Sequence, residues 1–361
     1  MVEHERDGWL VLALADLPPV RCAAVLDAFS GSPLAVLAAP PPALASCGLT
    51  VAERERLERA RRADIAAVRA RTQEMGVSLV TLHDMEYPCN LRTIPDPPPA
   101  LFVRGQLDDV DARAVAIVGT RSASPYGVQA AKSLATDLAR NGVTVVSGLA
   151  RGIDTAAHEG ALEAGGRTIG VMACGIDFPY PRDSQDLVRR IADTKSGAVL
   201  SELPPGTPPS KTRFPHRNRI ISGMSLGVVV VEAPQKSGAL ITARLAAEQG
   251  REVFAMPGSI NSVLSVGSHN LIKEGAKLVQ TVNDVLEELN LPVVESEPQP
   301  LPELSVEEGK LLSLLSLEQR NIEELIQETS LPSSQLYSAL LLLELKGLVR
   351  RLPGNSFMRV R

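Results

Sequence analysis

The 361-residue chain contains few cysteines, and their placement excludes two kinds of site. The four cysteines are scattered singly, at Cys22, Cys47, Cys89 and Cys174. This spacing fits neither a metal-ligand pattern nor a disulfide framework, so we expect buried thiols. Aromatic residues are also scarce, at 3% of the chain. An aromatic side chain within a polar segment is therefore an informative feature of this sequence.

The chain also lacks a hydrophobic run of the length that a membrane-spanning helix needs. A short apolar stretch follows the N-terminus, but Glu3, Glu5 and Asp7 precede it. A secretory signal carries positive charge at this place. We therefore expect a cytoplasmic protein with no membrane partner.

Positive charge is not in excess either, since 37 basic residues face 42 acidic ones and the formal net charge is −5. This balance disfavours a protein coated with positive potential, as many nonspecific nucleic-acid binders are. A local basic groove is still compatible with it, because the potential near a surface depends on charges within roughly 8 Å at physiological salt.

The length exceeds that of one usual hydrophobic core and predicts several domains. Residues 1–75 have the pattern of short helices, the last of which begins at a Thr50–Glu53 capping box and runs to Met75. Residues 291–304 are rich in Pro and Glu, as linkers are. Residues 305–361 contain three helical patterns and a two-stranded hairpin, which predicts a small winged-helix domain.

The central segment, residues 76–290, contains six apolar runs rich in β-branched residues. They cover residues 115–119, 143–148, 167–173, 197–202, 227–233 and 252–258. Helical stretches separate most of them. This alternation predicts an α/β fold with a doubly wound, mostly parallel sheet that is covered on both faces.

Ligands of such sheets bind outside the carboxyl ends of the strands. In this sequence, small and basic residues follow three of the strands: Gly119, Thr120 and Arg121 after the first, Ser147, Gly148 and Arg151 after the second, and Lys236, Ser237 and Gly238 after the fifth. Glycines allow backbone N–H groups to approach an oxyanion, and helix N-termini add partial positive charge. The combination predicts a phosphate-binding edge.

The motifs of common phosphate enzymes are missing from these loops. No G-x-G-x-x-G follows the first strand, no acidic residue ends the second, and no G-x-x-x-x-G-K-[ST] occurs. The segment 223–227 matches the nucleophile elbow G-x-S-x-G, but it follows a helix and precedes a strand, which is the wrong context. Asp154 and His158 lie four apart on one helix, yet Asp154 is better explained as an N-cap. We predict no cofactor, no metal and no catalytic residue.

The segment KTRFPHRNRII, residues 211–221, gathers positive charge beside one aromatic ring. Lys211, Arg217 and Arg219 are suited to phosphates, and Phe214 to stacking on a base, which contributes roughly 1 to 3 kcal/mol. Duplex DNA hides the faces of its bases, so this pairing favours single-stranded nucleic acid. The alternative for Phe214 is packing in the core under the following helix.

Two other functions are compatible with the sequence. A nucleotide-cleaving phosphoribohydrolase on the same fold would use Glu232 with residues 237–239. The winged helix would read duplex DNA through basic residues near its wing, which are Arg350, Arg351, Arg359 and Arg361. Seven basic and seven acidic residues balance between Ser305 and Arg361, so attraction to phosphate there would be weak and a protein contact or an auxiliary role is favoured.

Several long motifs resemble the DNA-processing protein A (DprA/Smf) family of bacterial recombination mediators. They are VAIVGTRSASPYG, VSGLARGIDTAAHEGAL, FPHRNRIISG, VVVVEAPQKSGALITARLAAEQGREVFAMPG and GSHNLIKEGA. The resemblance covers about residues 76–290, and the tail is similar to the family's winged-helix domain. The N-terminal segment resembles the family's small helical SAM-like domain by position and size alone.

This resemblance implies a Rossmann-like homodimer that binds single-stranded DNA, protects incoming DNA and helps to load the RecA recombinase during natural transformation. It also implies that Arg121, Lys211 and Phe214 bind the strand. Lys236 is a weaker candidate by the same comparison.

Overall fold

The computed structural model describes residues 2–193, 197–293, 304–316, 319–329, 331–352 and 354–359. The described residues form two compact units, one made of residues up to 122 and from 131 to 293, the other of the C-terminal residues with the stretch 123–130. Each unit is described separately below. No helix among the described residues has both the length and the apolar character that crossing a bilayer requires.

The larger unit begins with six helices: α1 Val2–Leu14, α2 Pro19–Ala28, α3 Pro33–Ala38, α4 Pro41–Ser46, α5 Val51–Arg61 and α6 Ile65–Glu74. Thr50 and Glu53 form the predicted capping box at the start of α5. The prediction of one helix from Thr50 to Met75 is wrong, because helix α5 ends at Arg61 and a second helix begins at Ile65. Asp64 accepts a hydrogen bond from the backbone N–H of Ala67 and so begins a second helix.

Nine strands form the sheet of this unit: β1 Val77–Thr81, β2 Ala100–Gly105, β3 Ala114–Val118, β4 Thr144–Ser147, β5 Thr168–Val171, β6 Gly197–Ser201, β7 Gly227–Val230, β8 Glu252–Ala255 and β9 Lys277–Leu278. All six predicted strands of the parallel sheet are confirmed, as β3 to β8. The two-residue edge strand β9 has no counterpart in the prediction.

The strand order is β1-β2-β6-β5-β4-β3-β7-β8-β9. Strands β3 to β9 pair in parallel, while β2 pairs antiparallel with both β1 and β6. The chain moves outward from β3 to β6, then returns to the other side of β3 with β7. The point where the order reverses, between β3 and β7, is where an open α/β sheet forms its crevice.

The remaining helices of this unit connect the strands: α7 Cys89–Arg92, α8 Pro125–Arg140, which crosses the boundary between the units, α9 Ile153–Glu163, α10 Gln185–Asp193, α11 Arg213–Gly223, α12 Gly238–Glu248, α13 Val266–Lys273 and α14 Val282–Glu288. Residues 109–112 and 182–184 form short 3₁₀ helices.

The central strands are buried on both faces of the sheet. All five residues of β3 and of β6 are buried. The N-terminal helices share one of these cores, since Leu10 and Ala13 of α1 pack in the same cluster as Phe102 of β2 and Val199 of β6. The first 75 residues therefore belong to the same compact unit as the sheet. A separate SAM-like domain with a boundary at residue 75 stays a prediction.

The C-terminal unit has the predicted winged-helix elements: α15 Val306–Leu314, β10 Arg320–Asn321, α16 Ile322–Thr329, α17 Ser333–Leu345, β11 Val349–Leu352 and β12 Ser356–Arg359. Its three strands pair in the order β10-β12-β11. Its own core includes Leu325, Leu336 and Leu343. Most of the predicted linker, residues 294–303, lies outside the described residues, as does Arg361.

A buried histidine lies between α9 and the sheet. The Thr168 hydroxyl donates to the carbonyl oxygen of Val145 at 2.7 Å, so it accepts from Nδ1 of His158, also at 2.7 Å. Nε2 of His158 is buried and has no hydrogen-bond partner among the described residues. Burial, aided by the nearby Arg217, lowers the pKa of His158 to about 3. Protonation would create a charged, buried N–H with no acceptor.

We expect His158 to make the larger unit less stable in acid. A histidine of ordinary pKa near 6.5 binds a proton in the unfolded chain, whereas the folded one does not until about pH 3. The stability is therefore complete above pH 6.5 and is lost as the pH falls toward 3. Between pH 7.5 and 5, the wild type should lose about 2 kcal/mol more than His158→Gln.

Urea unfolding followed by the fluorescence of Trp9, the single tryptophan of the chain, measures this difference. His83, which contacts Trp9, is common to both proteins and cancels in the comparison. His216→Gln, which removes an exposed histidine, serves as the control. Equal pH dependence of the wild type and His158→Gln would contradict the assignment.

Candidate functional site

Two neighbouring cavities open at the carboxyl ends of the strands. The first, of about 300 Å³, lies at the switch point and is lined by residues 118–121 at the end of β3, by residues 236–239, 241 and 242 at the start of α12, and by the first turns of α11. The second, of about 550 Å³, is lined by Arg121, Gly148, Arg151 and residues 180–183. Arg121, Phe214 and Arg217 line both, so we treat them as one crevice, called the switch crevice below.

A stack of three side chains forms the wall of the switch crevice. The Arg121 guanidinium carbon lies over the Phe214 ring, 5.0 Å from its centroid. The Tyr180 ring also contacts Phe214, with a centroid distance of 5.6 Å and an interplanar angle of 47°. Tyr180 is 46% exposed, while Phe214 is half-buried. The wall thus offers an open ring beside a cation, which suits a base with its phosphate.

The structure places Phe214 in the first turn of a helix. Phe214 is the second residue of α11, which begins at Arg213 despite Pro215. Proline is tolerated in the first turn of a helix, because the N–H groups there have no partner within the helix. Phe214 is not sealed in the core, since it lines the switch crevice.

Four exposed cations lie at or near the switch crevice and form no ion pair within 4 Å in the described ranges: Arg121, Arg182, Lys211 and Lys236. Arg121, Arg182 and Lys236 line it, whereas Lys211 lies just before α11 and outside the lining. Arg151, also predicted, forms an ion pair with the exposed Asp183. An exposed pair of this kind is weak, so Arg151 is exchangeable between Asp183 and a phosphate.

Arg217, predicted to contact phosphate, lies inside the protein instead of on the surface of the crevice. Arg217 is 6% exposed. Its Nη1 donates to the carbonyl oxygen of Gly148 at 2.7 Å and also bonds that of Val171. Burial lowers the pKa of Arg217 to about 10, against the favourable charge of Asp154. Arg217 therefore joins the ends of β4 and β5 from inside.

Arg219, predicted to lie in the same groove, is also buried, and its partners are acidic side chains outside the crevice lining. Its side chain is 5% exposed, pairs with Asp96 at 3.2 Å and bonds Glu202. Residues two apart on a helix point in very different directions, because each residue turns the helix by about 100°. Arg219 does not line the switch crevice.

The polar residues of the strand-end loops organise the backbone. The Ser147 hydroxyl is buried and donates to the carbonyl oxygen of Ile117 at 2.7 Å. Thr120 is 8% exposed, and its backbone N–H donates to the carbonyl oxygen of Glu232 at 2.7 Å. Ser237 caps α12 by accepting from the N–H of Ala239 at 3.2 Å. Gly119 and Gly238 line the crevice without a side chain in the way.

Asp154 does accept backbone N–H groups, but from the loop before its helix. Its Oδ2 accepts from Gly148 at 3.1 Å and from Ala150 at 3.4 Å, while Gly152 occupies the N-cap position. Burial raises the pKa of Asp154, and the charge of Arg217 opposes this shift. His158 bonds Thr168 instead, so the two do not form an acid-base pair.

The context of Ser225 agrees with the rejection of a nucleophile elbow. Ser225 is fully buried after α11 and before β7, and its hydroxyl donates to the carbonyl oxygen of Ile221 at 3.0 Å.

Tyr180 and Arg182 are crevice residues that the sequence reasoning missed. They lie in the loop after β5, several residues beyond the strand end, and the sequence analysis assigned no candidate to that loop. The available signal was an aromatic residue next to Pro and Arg in a chain with four tyrosines.

The winged helix presents an apolar surface on its third helix. Tyr337, Leu341, Leu342 and Leu345 of α17 are 44%, 55%, 47% and 75% exposed. A helix that reads a major groove carries polar and basic side chains at such positions. Arg350 and Arg351 of β11 are exposed, and Arg351 bonds Asn355.

We expect Gly152→Ala to destabilise the larger unit and to displace the loop that carries Arg121. Gly152 has a φ of 80°, and a Cβ there would lie 2.5 Å from the carbonyl oxygen of Thr120 and 2.8 Å from that of Arg121. Gly165→Ala is the matched control, with a φ of 70° and nothing within 4 Å. The control measures the left-handed backbone cost alone, about 1 to 2 kcal/mol.

Gly152→Ala should lower the free energy of unfolding by more than this control, measured by urea unfolding with Trp9 fluorescence. Equal losses in the two variants would mean that the loop of Arg121 moves away from the new Cβ with no further loss of folding free energy.

The chain matches known sequences over most of its length. The family model of DNA recombination-mediator protein A matches residues 78–290, and that of the DprA winged helix domain matches residues 295–355. Protein Smf of Escherichia coli is 37% identical over 333 residues, which are 88% of this chain and 87% of the relative. DNA processing protein DprA of Bacillus subtilis is 45% identical over 223 residues, which are 62% and 74%.

Two solved structures are also similar. DNA processing protein A from Streptococcus pneumoniae has 38% identity and a TM-score of 0.68, over 78% of this chain and 97% of that one. DNA processing protein A from Helicobacter pylori, described for its single-stranded DNA binding mode, has 33% identity and a TM-score of 0.53, over 59% and 96%. On the family match and these relatives, the chain belongs to the DNA recombination-mediator protein A family.

Proposed function

We propose that this chain binds single-stranded DNA in the switch crevice, protects incoming DNA and helps to load the RecA recombinase during natural transformation. It acts in the cytoplasm as a homodimer and makes or breaks no bond. The observation that carries the proposal is the stack in which Arg121 covers Phe214 beside the exposed ring of Tyr180.

The chemistry of the crevice supports a single strand over a duplex. Stacking needs an accessible base face, which a duplex hides. Arg121 and Lys236 lie on the two sides of the switch point, one after β3 and one after β7, and both line the same cavity, which supports contacts of both with the phosphates of one strand. Arg182 adds positive charge to the cavity that Tyr180 and Phe214 line, and Lys211 precedes the first residue of α11 by two positions. The single-stranded DNA described for the Helicobacter pylori relative agrees with this choice.

The phosphoribohydrolase alternative has less support. Glu232 is 3% exposed, and Asp154 is the one carboxylate among the residues that line the 300 Å³ cavity, where two backbone N–H groups hold it. Glycoside-type cleavage generally uses two carboxylates. Release of a free base from a nucleoside monophosphate would overturn the proposal.

Titration by fluorescence anisotropy tests the proposal with oligo-dT and a duplex of equal length. If about three to five phosphates are neutralised, the log–log slope against salt should be about −2 to −3.5 for the single strand, at roughly −0.7 per phosphate. Replacing both Arg121 and Lys211 by Ala should make this slope less negative by about 1.4 and leave the thermal melt unchanged.

The control variant replaces Arg59 and Arg62 by Ala, and these are two exposed arginines at the end of α5. It changes the net charge by the same amount and should bind oligo-dT as the wild type does. An unaltered slope in the Arg121 and Lys211 variant would remove these residues from the interface. Duplex affinity equal to that of oligo-dT would favour the winged helix as a DNA reader.

Base stacking on Tyr180 and Phe214 has a separate test. Tyr180→Ala and Phe214→Ala should each weaken oligo-dT binding by about 5-fold to 150-fold, the range expected for one stacked base. Tyr180→Phe keeps the ring and should retain affinity. Phe178→Ala removes another exposed aromatic of the same loop, one outside the crevice lining, and is the control. Affinity insensitive to both Tyr180→Ala and Phe214→Ala would contradict stacking.

The apolar surface of α17 supports a protein contact for the winged helix, rather than a duplex contact. Its exposed leucines provide no phosphate ligands, whereas burial of such side chains stabilises protein interfaces. We assign this surface an auxiliary or partner-binding role in the mediator function.

A further inference from the structure

Asp154 places a carboxylate in a crevice that is otherwise suited to anions. It lines the 300 Å³ cavity of the switch crevice together with Arg121, Lys236 and Phe214. The residue is buried, with 6% of its surface exposed. A negative charge beside cations that are proposed to contact phosphate opposes the binding of phosphate. The carboxylate therefore does not serve the binding of the DNA backbone.

The two carboxylate oxygens of Asp154 differ in their partners. Oδ2 accepts the N–H groups of Gly148 at 3.1 Å and of Ala150 at 3.4 Å. Oδ1 accepts no hydrogen bond from any residue that the structure describes, and the nearby Arg217 donates to other groups. The solvent-inaccessible side-chain atoms that lack a partner in the described chain do not include Oδ1, so solvent reaches this oxygen. Because Asp154 lines the cavity, Oδ1 is an unused acceptor that opens into it.

The chemistry of a DNA strand limits what can fill this position. An ionised carboxylate oxygen only accepts hydrogen bonds, so its partner must be a donor. The phosphate diesters of DNA carry no donor. The sugars carry none within the strand, because their 3′ and 5′ oxygens are esterified and the 2′-hydroxyl of RNA is absent. The donors within a DNA strand are therefore the N–H groups of the bases, which lie on their Watson–Crick edges.

We propose that Asp154 is a specificity-determining residue, whose Oδ1 accepts an N–H group from the Watson–Crick edge of one base in the switch crevice. This inference rests on the proposed binding of single-stranded DNA. In a duplex the Watson–Crick edges are paired with each other, so the carboxylate would be covered without receiving a donor, which is costly. Asp154 thus selects an unpaired base and adds to the discrimination that stacking on Phe214 provides.

The two N–H groups on Oδ2 determine what the substitution Asp154→Asn would do. The amide oxygen must take the Oδ2 position, because only an oxygen can accept from Gly148 and Ala150. The amide NH₂ then takes the Oδ1 position and offers a donor where the wild type offers an acceptor. The substitution therefore keeps the bonds to the loop and removes the acceptor for the base.

Fluorescence anisotropy with the full chain tests the proposal. Burial raises the pKa of Asp154, so the titrations are made at about pH 8, which favours the ionised form. The probes are oligo-dT and an oligomer of N3-methylthymidine of equal length, which keeps the rings and the phosphates but lacks the N3–H. The wild type should bind the methylated oligomer about 10-fold to 150-fold more weakly, the loss expected for one hydrogen bond to a charged group.

Two comparisons separate the loss of a hydrogen bond from a clash with the added methyl group. An oligomer of O4-methylthymidine lacks the same N–H but carries its methyl group elsewhere, and the wild type should bind it as weakly. Asp154→Asn should bind oligo-dT and the N3-methyl oligomer with nearly equal affinity. Asp183→Asn, which removes a carboxylate from the lining of the 550 Å³ cavity, makes the same change in net charge and should keep the wild-type preference. Trp9 fluorescence verifies that both variants are folded.

The outcomes distinguish this inference from the proposed function. Binding of oligo-dT that depends on Arg121 and Phe214 but is equal for the methylated oligomers would overturn the role of Asp154 alone. Full persistence of the preference in Asp154→Asn would do the same. Tighter binding of oligo-U than of oligo-dU, with the difference abolished by Asp154→Asn, would assign Oδ1 to a ribose 2′-hydroxyl and overturn the reading of a base. Absence of oligo-dT binding would overturn both the inference and the proposed function.

Discussion

The strand-end region depends on the buried guanidinium of Arg217. It bonds the carbonyl oxygens of Gly148 and Val171, and so joins the loop after β4 to the end of β5. Asp154 supplies the nearby negative charge and holds two N–H groups of the same loop. A buried charge persists only where its hydrogen bonds and a counter-charge are provided. The exposed groups of the switch crevice are therefore mounted on a fixed backbone.

Helix α11 distributes the positive charge of one short segment to different places. Phe214 lines the switch crevice, Arg217 lies inside, and Arg219 is buried against Asp96 and Glu202. An acidic protein gathers basic residues here because two of the arginines have separate structural partners: Arg217 bonds the carbonyl oxygens at the strand ends, and Arg219 pairs with two acidic side chains. The segment is thus a divider with different chemistry on each side, rather than one uniform basic groove.

The sheet was predictable because parallel strands covered on both faces are continuous β-branched runs, and β3 to β8 are such runs. The strand-end crevice was predictable from topology alone. The direction of each side chain was not predictable. A proline at position 215 argues against a helix that starts before it, and the helix that does start at Arg213 turns Arg217 and Arg219 in different directions. The break between α5 and α6 was missed because the composition is continuous across Asp64, whose local cap decides it. Tyr180 lies too far from its strand end to be assigned by position.

The two-residue strand β9 at one edge of the large sheet has a consequence for self-association. Lys277 lies in it and forms an ion pair with Glu288, 2.8 Å away. Short strands with charged side chains discourage the addition of another strand, since few backbone groups are free to pair and the lysine must be desolvated. A second copy of the chain that approaches this edge would have to associate through side-chain packing, and not by extending the ladder of main-chain hydrogen bonds.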